Sequence, residues 1–148
     1  MENATNIFKL THMIEQVINE NIVRFTKDFS YPIGISTISV LSKIEAKGPV
    51  KHIDLTESLG YSKSTITKMA EKLVKLELVN RMYDKNDRRA IYLEITPKGT
   101  EALKEARVLG DKIYKELYSI LSEEELSAYI AIQEKLSSHI SDNRKSSF

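Results

Sequence analysis

The spacing of apolar residues predicts four helices in the first half of the chain. Apolar residues recur every three to four positions over residues 3–29 without Pro or Gly, which predicts one long helix. A second helix ends at Gly48, and a third covers about residues 52–58, with Gly60 as its left-handed cap. Ser62 is a good N-cap for a fourth helix. The third and fourth helices therefore meet across a three-residue turn.

The period of the pattern then changes to two. Residues 79–83 and 90–95 both alternate in the manner of β-strands. The six residues between them, 84–89, are polar and rich in turn formers. This segment is predicted to be a β-hairpin with a charged tip.

Helical spacing returns after the hairpin. Thr96 and Pro97 have the order of an N-cap and a first helical residue, which predicts the start of a fifth helix. Ser122 and Glu125 form an S-x-x-E capping box that predicts a sixth. The expected fold class is mostly α with a small β-hairpin wing (α+β), in the order of a winged helix-turn-helix. Apolar stripes on the first, fifth and sixth helices form either core or dimer interface, because helices of about 20 residues cannot bury such a face alone.

Composition describes an ordinary globular protein. Of the 148 residues, 41% are hydrophobic and 29% are charged. There is no apolar run of 18 residues and no signal-peptide pattern, so we expect a cytoplasmic protein with no membrane partner.

The sequence offers little for catalysis or metal binding. It has no Cys, which excludes disulfides, thiolate zinc sites and thiol nucleophiles. The three His fall on different predicted helices without metal-ligand spacing, and no nucleophile with its base, phosphate loop or carboxylate pair is recognisable. We expect no metal, no cofactor and no catalytic residues, and hence no enzyme.

Charge is distributed unevenly along the chain. The formal net charge is +1, but residues 61–99 contain nine Lys or Arg against five Asp or Glu. A basic middle segment is a modest indication of a polyanionic partner, since phosphate contacts need clustered cations.

The outward face of the fourth helix carries hydroxyl and ammonium groups that can bond base edges and phosphates in the major groove. Its N-terminus at Ser62 also favours a phosphate. Similar helix pairs occur in proteins that bind no nucleic acid, so an ordinary solvated helix is the alternative. The outward residues are Lys63, Ser64, Thr67, Lys68, Glu71 and Lys72.

The hairpin tip favours the nucleic-acid interpretation. Lys85, Arg88 and Arg89 lie beyond the end of a short ribbon, where they can reach the minor groove beside the fourth helix. Asp87, two positions before Arg89, can hold that guanidinium in one orientation through a paired hydrogen bond. A solvated charged turn is the alternative.

Three stretches of the chain resemble the MarR family of winged-helix regulators. They are VLSKIEAKGPV (residues 40–50), DLTESLGYSKSTITKMAEKLVKLELVNR (54–81) and, most specifically, DKNDRRAIYLEITPKG (84–99). The resemblance implies a homodimer in which the first, fifth and sixth helices of two subunits interlock. It also implies a helical dimerisation region, residues 1–32 and 97–148, and a DNA-binding lobe, residues 33–96.

The resemblance assigns roles by position. Arg89 matches the wing arginine that enters the minor groove, Asp87 matches the acid that steadies it, and Arg88 then contacts the DNA backbone. The residues that match the major-groove surface are Ser62, Lys63, Ser64, Thr65, Thr67 and Lys68.

Three positions depart from the family pattern. Lys68 stands where Arg is frequent, so a bidentate guanine contact becomes a point-charge contact. Glu77 replaces the usual Gly between the recognition helix and the wing, which requires either a left-handed Glu77 or a differently built turn. Gly34 replaces a Thr or Ser that caps the second helix.

The leading hypothesis is a sequence-specific regulator of double-stranded DNA, in this family usually a repressor, that binds a pseudo-palindromic operator as a homodimer. Family members often bind a small aromatic or phenolic effector. His12, Gln16 and Tyr31 lie on the elements that would line its site, although solvent, dimer-contact or packing roles are equally open for them. The alternative function, a winged-helix scaffold for protein partners, predicts that Arg88 and Arg89 are dispensable.

Overall fold

The computed structural model describes residues 2–87 and 89–146 and contains the six predicted helices and the predicted hairpin. The chain divides into two compact units, Met1–Gly110 and Asp111–Phe148. None of the helices in the described residues combines the length and apolar content needed to cross a bilayer. The elements are α1 Glu2–Asp28, α2 Ile35–Lys47, β1 Val50–Lys51, α3 His52–Leu59, α4 Lys63–Lys75, β2 Val79–Tyr83, β3 Ile91–Ile95, α5 Pro97–Tyr118 and α6 Glu123–Ser146.

The core of the first unit lies between α2, α3, α4 and the sheet. Each of these elements contributes apolar side chains at its inward positions, and burying them is the main stabilising contribution to the unit. The side chains with no exposed surface are Val40, Leu41, Ile44, Leu55, Ile66, Ala70, Leu73, Leu78 and Leu93.

Local capping chemistry fixes the helix boundaries where the sequence predicts them. Gly60 has φ 73° and its N–H donates to the carbonyl of Thr56, which closes α3. Gly34 is the N-cap of α2 and supplies no side-chain bond. The capping box at α6 is confirmed in both directions, because Ser122 N–H donates to Glu125 Oε1 at 3.0 Å and Glu125 N–H donates to Ser122 Oγ at 3.1 Å.

The sheet has three antiparallel strands in the order β1-β3-β2. The predicted hairpin is confirmed, with pairing from Val79↔Ile95 at its base to Tyr83↔Ile91 near its tip. Sequence reasoning missed β1, which pairs Val50 with Leu93 and Lys51 with Tyr92. The wing is therefore anchored to the segment between α2 and α3, and β3 is hydrogen-bonded on both sides.

The first five turns of α1 bury little within this chain. Ile7, Leu10, Ile14 and Val17 are between 46% and 64% exposed, whereas Phe25 near the end of the helix is buried. Farther along the first unit, Arg107 of α5 pairs with Glu45 of α2 at 2.8 Å, and Ser30 donates to Glu105. These contacts hold the first part of α5 against α2 and against the loop that follows α1.

The second unit consists of the end of α5 and α6. Tyr118 lies 6.1 Å from Tyr114 and 5.9 Å from Tyr129, ring centre to ring centre. Within the described span of α6 no side chain is buried, and Ile130, Leu136 and several other apolar residues remain about half exposed. The unit therefore has an apolar face that this chain does not cover.

Candidate nucleic-acid interface

The recognition helix α4 begins with a network of hydroxyl groups. Ser62 Oγ accepts from the N–H of Thr65 at 3.2 Å, as the N-cap prediction requires, and lies 2.8 Å from Thr65 Oγ1 and 3.1 Å from Ser64 Oγ. Thr67 Oγ1 donates to the carbonyl of Lys63 at 2.9 Å. The oxygen of Thr67 thus keeps a lone pair for an outside donor, while its hydrogen is committed to the helix.

One face of α4 is buried and apolar, and the opposite face is exposed and polar. Ile66, Ala70 and Leu73 are fully buried, which fixes the rotation of the helix against the core. The predicted DNA-contacting residues face outward or lie half-buried at the edge. Those exposed are Ser62, Lys63, Ser64, Lys68 and Lys72, and those half-buried are Thr65 and Thr67.

The turn between α4 and the wing uses a left-handed residue that is not glycine. Glu77 has φ 62°, so the first of the two predicted alternatives is correct. The N–H of Glu77 donates to the carbonyl of Val74, and that of Leu78 to the carbonyl of Leu73, both at 2.9 Å. A non-Gly residue in this conformation is strained, and the bonds around it hold it there.

Thr96 ties this turn to the far end of the wing. Its Oγ1 donates to the carbonyl of Glu77 at 2.7 Å and accepts from the N–H of Gly99 at 3.0 Å. Thr96 thus caps α5 as predicted and also bonds the turn that follows α4. Its N–H donates to the carbonyl of Leu78 at 3.0 Å. A Cβ on Gly99 would lie 2.1 Å from the Leu78 carbonyl oxygen, which explains why glycine is needed there.

The wing tip is shaped by two aspartates that bond the backbone. Asp84 Oδ1 accepts from the N–H of Asn86, and Asp87 Oδ1 accepts from the N–H of Arg89, both at 3.0 Å. Asp87 therefore bonds the main chain of the exposed Arg89, and its hold on the Arg89 guanidinium stays a prediction. Lys85 is exposed, and Arg88 lies outside the described residues.

A cavity of about 520 Å³ opens between β1, the start of α3, α4 and the wing. Its lining includes Lys51, His52, Lys63, Thr67, Arg81 and Arg89, and none of the described residues that line it is an acid. The cavity therefore brings part of the recognition helix and part of the wing to one cationic surface.

His52 stands out within this cavity because its Nε2 is buried without a hydrogen-bond partner among the described residues. Burial, followed by the positive charges of Arg81 and Lys63, holds the pKa of His52 below its ordinary value. The sequence placed His52 near the start of α3 but could not show its burial, because the hairpin that encloses it lies some 30 residues later.

The predicted effector residues do not line this cavity. His12 and Gln16 are exposed on α1, and Tyr31 is half-buried with its ring 5.6 Å from that of Phe29. Among the residues that the structure describes, no three His, Asp or Glu side chains are grouped as a metal site would need.

Comparisons with known proteins point to one family. The sequence model of the MarR family matches residues 34–91, which span α2 to the start of β3. The regulator PchR of Bacillus subtilis, an HTH-type transcriptional regulator, is 26% identical over 139 residues, covering 88% of this chain and 82% of PchR. The chain is therefore similar to the MarR family over residues 34–91, and to a transcriptional regulator over most of its length.

Two further comparisons cover different shares of the chain. The transcriptional repressor MprA of Escherichia coli K12 is 33% identical over 87 residues, which cover 59% of this chain but only 49% of MprA. A mutant MarR from E. coli, crystallised with operator DNA, superposes with a TM-score of 0.70 at 22% identity over 88% of this chain and 95% of that one. This structural likeness shows that the MarR winged helix-turn-helix fold is shared.

Proposed function

We propose that this protein is a MarR-type transcriptional regulator, a repressor that binds a pseudo-palindromic operator in double-stranded DNA as a homodimer. One observation carries the proposal most directly: Lys63 and Thr67 of α4 and Arg89 of the wing line the same acid-free cavity. A recognition helix and a wing that share one cationic surface suit simultaneous contact with a major groove and the neighbouring minor groove. The relatives named regulator and repressor, and the neighbour solved with operator DNA, support the same function.

The proposed roles follow the chemistry of each group. The hydroxyls and ammonium groups at the start of α4 contact base edges and phosphates, and the residues concerned are Ser62, Lys63, Ser64, Thr65, Thr67, Lys68 and Lys72. In the wing, Arg89 enters the minor groove, Asp87 orients the backbone that presents it, and Lys85 and Arg88 contact phosphates.

The homodimer is supported by apolar surface that this chain leaves open. Apolar residues of α1 and α6 recur at helical spacing and are about half exposed, which is unusual for a monomeric protein. We propose that residues 1–32 and 97–148 pair with their counterparts in a second subunit. Residues 33–96 then form the DNA-binding lobe, and two lobes contact half-sites about one helical turn apart.

Release by a small aromatic or phenolic effector is part of the proposal. His12 and Gln16 are exposed in the single chain, so an effector site that includes them would need a second subunit to close it. A panel of aromatic carboxylates and phenols, tested for release of bound DNA, would identify such an effector. Loss of the response in Gln16→Ala would support the location.

The central test is a titration of the DNA upstream of the chain's own coding sequence at several salt concentrations, followed by fluorescence anisotropy. Neutralising six or more phosphates predicts a slope of about −5 or steeper for log K against log salt. Arg89→Ala is expected to weaken binding at least ~10-fold, whereas Arg144→Ala, which removes the same charge from the exposed end of α6, should leave it unchanged. A flat salt dependence, or an Arg89→Ala variant that binds like the wild type, would contradict DNA binding and favour the protein-scaffold alternative.

A further inference from the structure

His52 opens α3 at the edge of the cavity described above and is only partly exposed. Its Nε2 atom is enclosed and makes no hydrogen bond to any described residue. A neutral imidazole carries one donor and one acceptor nitrogen, and an enclosed ring nitrogen without a partner is uncommon in folded proteins. The Nε2 atom of His52 therefore lacks a hydrogen-bond partner among the described residues, and the packing of the fold does not explain why a polar atom is enclosed there.

The charges that face His52 come from several elements and have the same sign. Lys51 of β1, Lys63 of α4, Arg81 of β2 and Arg89 of the wing line the cavity with it, and Tyr83 is the other titratable residue among the described lining residues. The two carboxylates of α3, Asp54 and Glu57, line a separate groove. Burial, followed by repulsion from Arg81 and Lys63, lowers the pKa of His52. At neutral pH the ring is uncharged in the free protein.

Bound DNA would change the balance between the neutral and the protonated form of His52. Lys63, Thr67 and Arg89 are proposed DNA contacts, and they share the cavity with His52. Bound phosphates offset the charges of Lys63 and Arg81 and add negative potential, both of which favour the imidazolium form. Because Nε2 is already enclosed, the further desolvation that DNA causes is the smaller of the two effects.

We infer that His52 is a proton-linked part of the DNA interface, so that DNA binding takes up a proton at His52 and acidification tightens the complex. The inference rests on the proposed function. By linkage, DNA raises the pKa of His52 as much as protonation of His52 strengthens DNA binding. A rise of one pKa unit would strengthen binding up to about tenfold per subunit between pH 7.5 and pH 5.5.

The test compares the wild type, His52→Gln and the matched control His139→Gln, whose histidine is exposed on α6 and contacts Asn143. The affinity for the upstream DNA is measured by anisotropy from pH 5.5 to 8.0 at constant ionic strength. We expect the wild type and His139→Gln to tighten by at least about threefold more than His52→Gln over this range. In the wild type, NMR titration of the imidazole C–H signals should give a higher pKa for His52 with DNA than without it, and this measurement needs no variant.

The outcomes separate the inference from the function on which it rests. Absence of binding at every pH would overturn both. Binding with the same pH dependence in the wild type and His52→Gln, or a His52 pKa that DNA leaves unchanged or lowers, would overturn the inference alone. If His52→Gln does not fold, the NMR titration of the wild type decides.

Discussion

The winged-helix lobe and the long terminal helices bury their apolar stripes differently. In the lobe, Leu41, Leu55 and Leu73 have no exposed surface, because α2, α3, α4 and the sheet enclose one another. Along α1 and α6, apolar residues at the same spacing remain open, with Ile14 46% and Ile140 56% exposed. A periodic apolar stripe thus indicates that a face will be buried, but not whether its own chain or a partner covers it.

The difference also separates two kinds of stability. The lobe has its own apolar core and hydrogen-bonded turns, so we expect its stability to depend on contacts within this chain. In the proposed homodimer the terminal helices would gain their main burial from a second subunit, so their order would depend on association. Mutations in the two regions should therefore differ in how their effects depend on protein concentration.

The largest expected effect comes from a charge placed on the open stripe of α6. Leu136 is half exposed in the single chain. In the proposed homodimer, Leu136→Glu would bury an unpaired carboxylate between two subunits and is expected to convert the dimer to monomers. DNA affinity should then fall by about 10²–10⁴-fold, because the two half-sites are no longer bound by one particle. Sedimentation velocity and DNA anisotropy measure the two effects.

Ser127→Glu is the matched control for this variant, since it adds the same charge to an exposed polar position of α6. It should remain dimeric and bind DNA normally. A Leu136→Glu protein that stays dimeric would show that the comparison between self-covered and partner-covered stripes does not apply to α6.

Two glycines of α5 test how closely the start of this helix packs against the lobe. Gly99→Ala places a Cβ against the carbonyl oxygen of Leu78 and is expected to lower the free energy of unfolding by about 2–3 kcal/mol. Gly110→Ala meets nothing within 4 Å and should raise it by about 0.5–1 kcal/mol through helix propensity. Urea unfolding gives both values, and equal effects from the two substitutions would refute the packing argument.

A smaller effect is expected where the wing joins α4. Thr96→Val keeps the shape of the side chain but loses the bonds to Glu77 and Gly99, at an expected cost of about 1–2 kcal/mol in unfolding free energy. Thr96→Ser retains the hydroxyl and should stay close to the wild type. If valine and serine behave alike in urea unfolding, the hydroxyl does not hold the junction.

The smallest expected effect is the pH dependence of the stability of the protein without DNA. Folding lowers the pKa of His52, so its stabilising contribution is complete above about pH 6.5 and is lost as pH falls through the lower folded pKa. Between pH 7.5 and 5.0 the wild type should lose about 1–2 °C more in Tm than His52→Gln. Calorimetry without DNA measures this, and parallel curves for the two proteins would argue against a neutral buried ring.

Local features were the part of this molecule that the sequence predicted well. Caps at Ser62, Thr96 and Ser122 depend on residues three positions apart, and the structure confirms all three. The left-handed turn at Glu77 was one of two alternatives that the missing glycine left open, and the bonds to Leu73 and Val74 show which one the chain uses.

Features that depend on distant segments were harder to predict. Strand β1 has two residues, too few to show a period, and it exists because β3 lies beside it. The bond from the Arg89 N–H to Asp87 Oδ1 depends on the backbone conformation of the tip, which the residue types alone do not specify. The cavity around His52 arises where β1, α3, α4 and the wing meet, and no single stretch of sequence contains it.

Within the described span of α6, Glu123–Ser146, no side chain is buried. If dimers are the DNA-binding form, operator occupancy at low abundance varies with the square of the subunit concentration. Halving the number of subunits then lowers occupancy about fourfold instead of twofold. When growth dilutes the protein, operator occupancy would therefore fall more steeply than the subunit concentration. Occupancy would also respond to the number of gene copies.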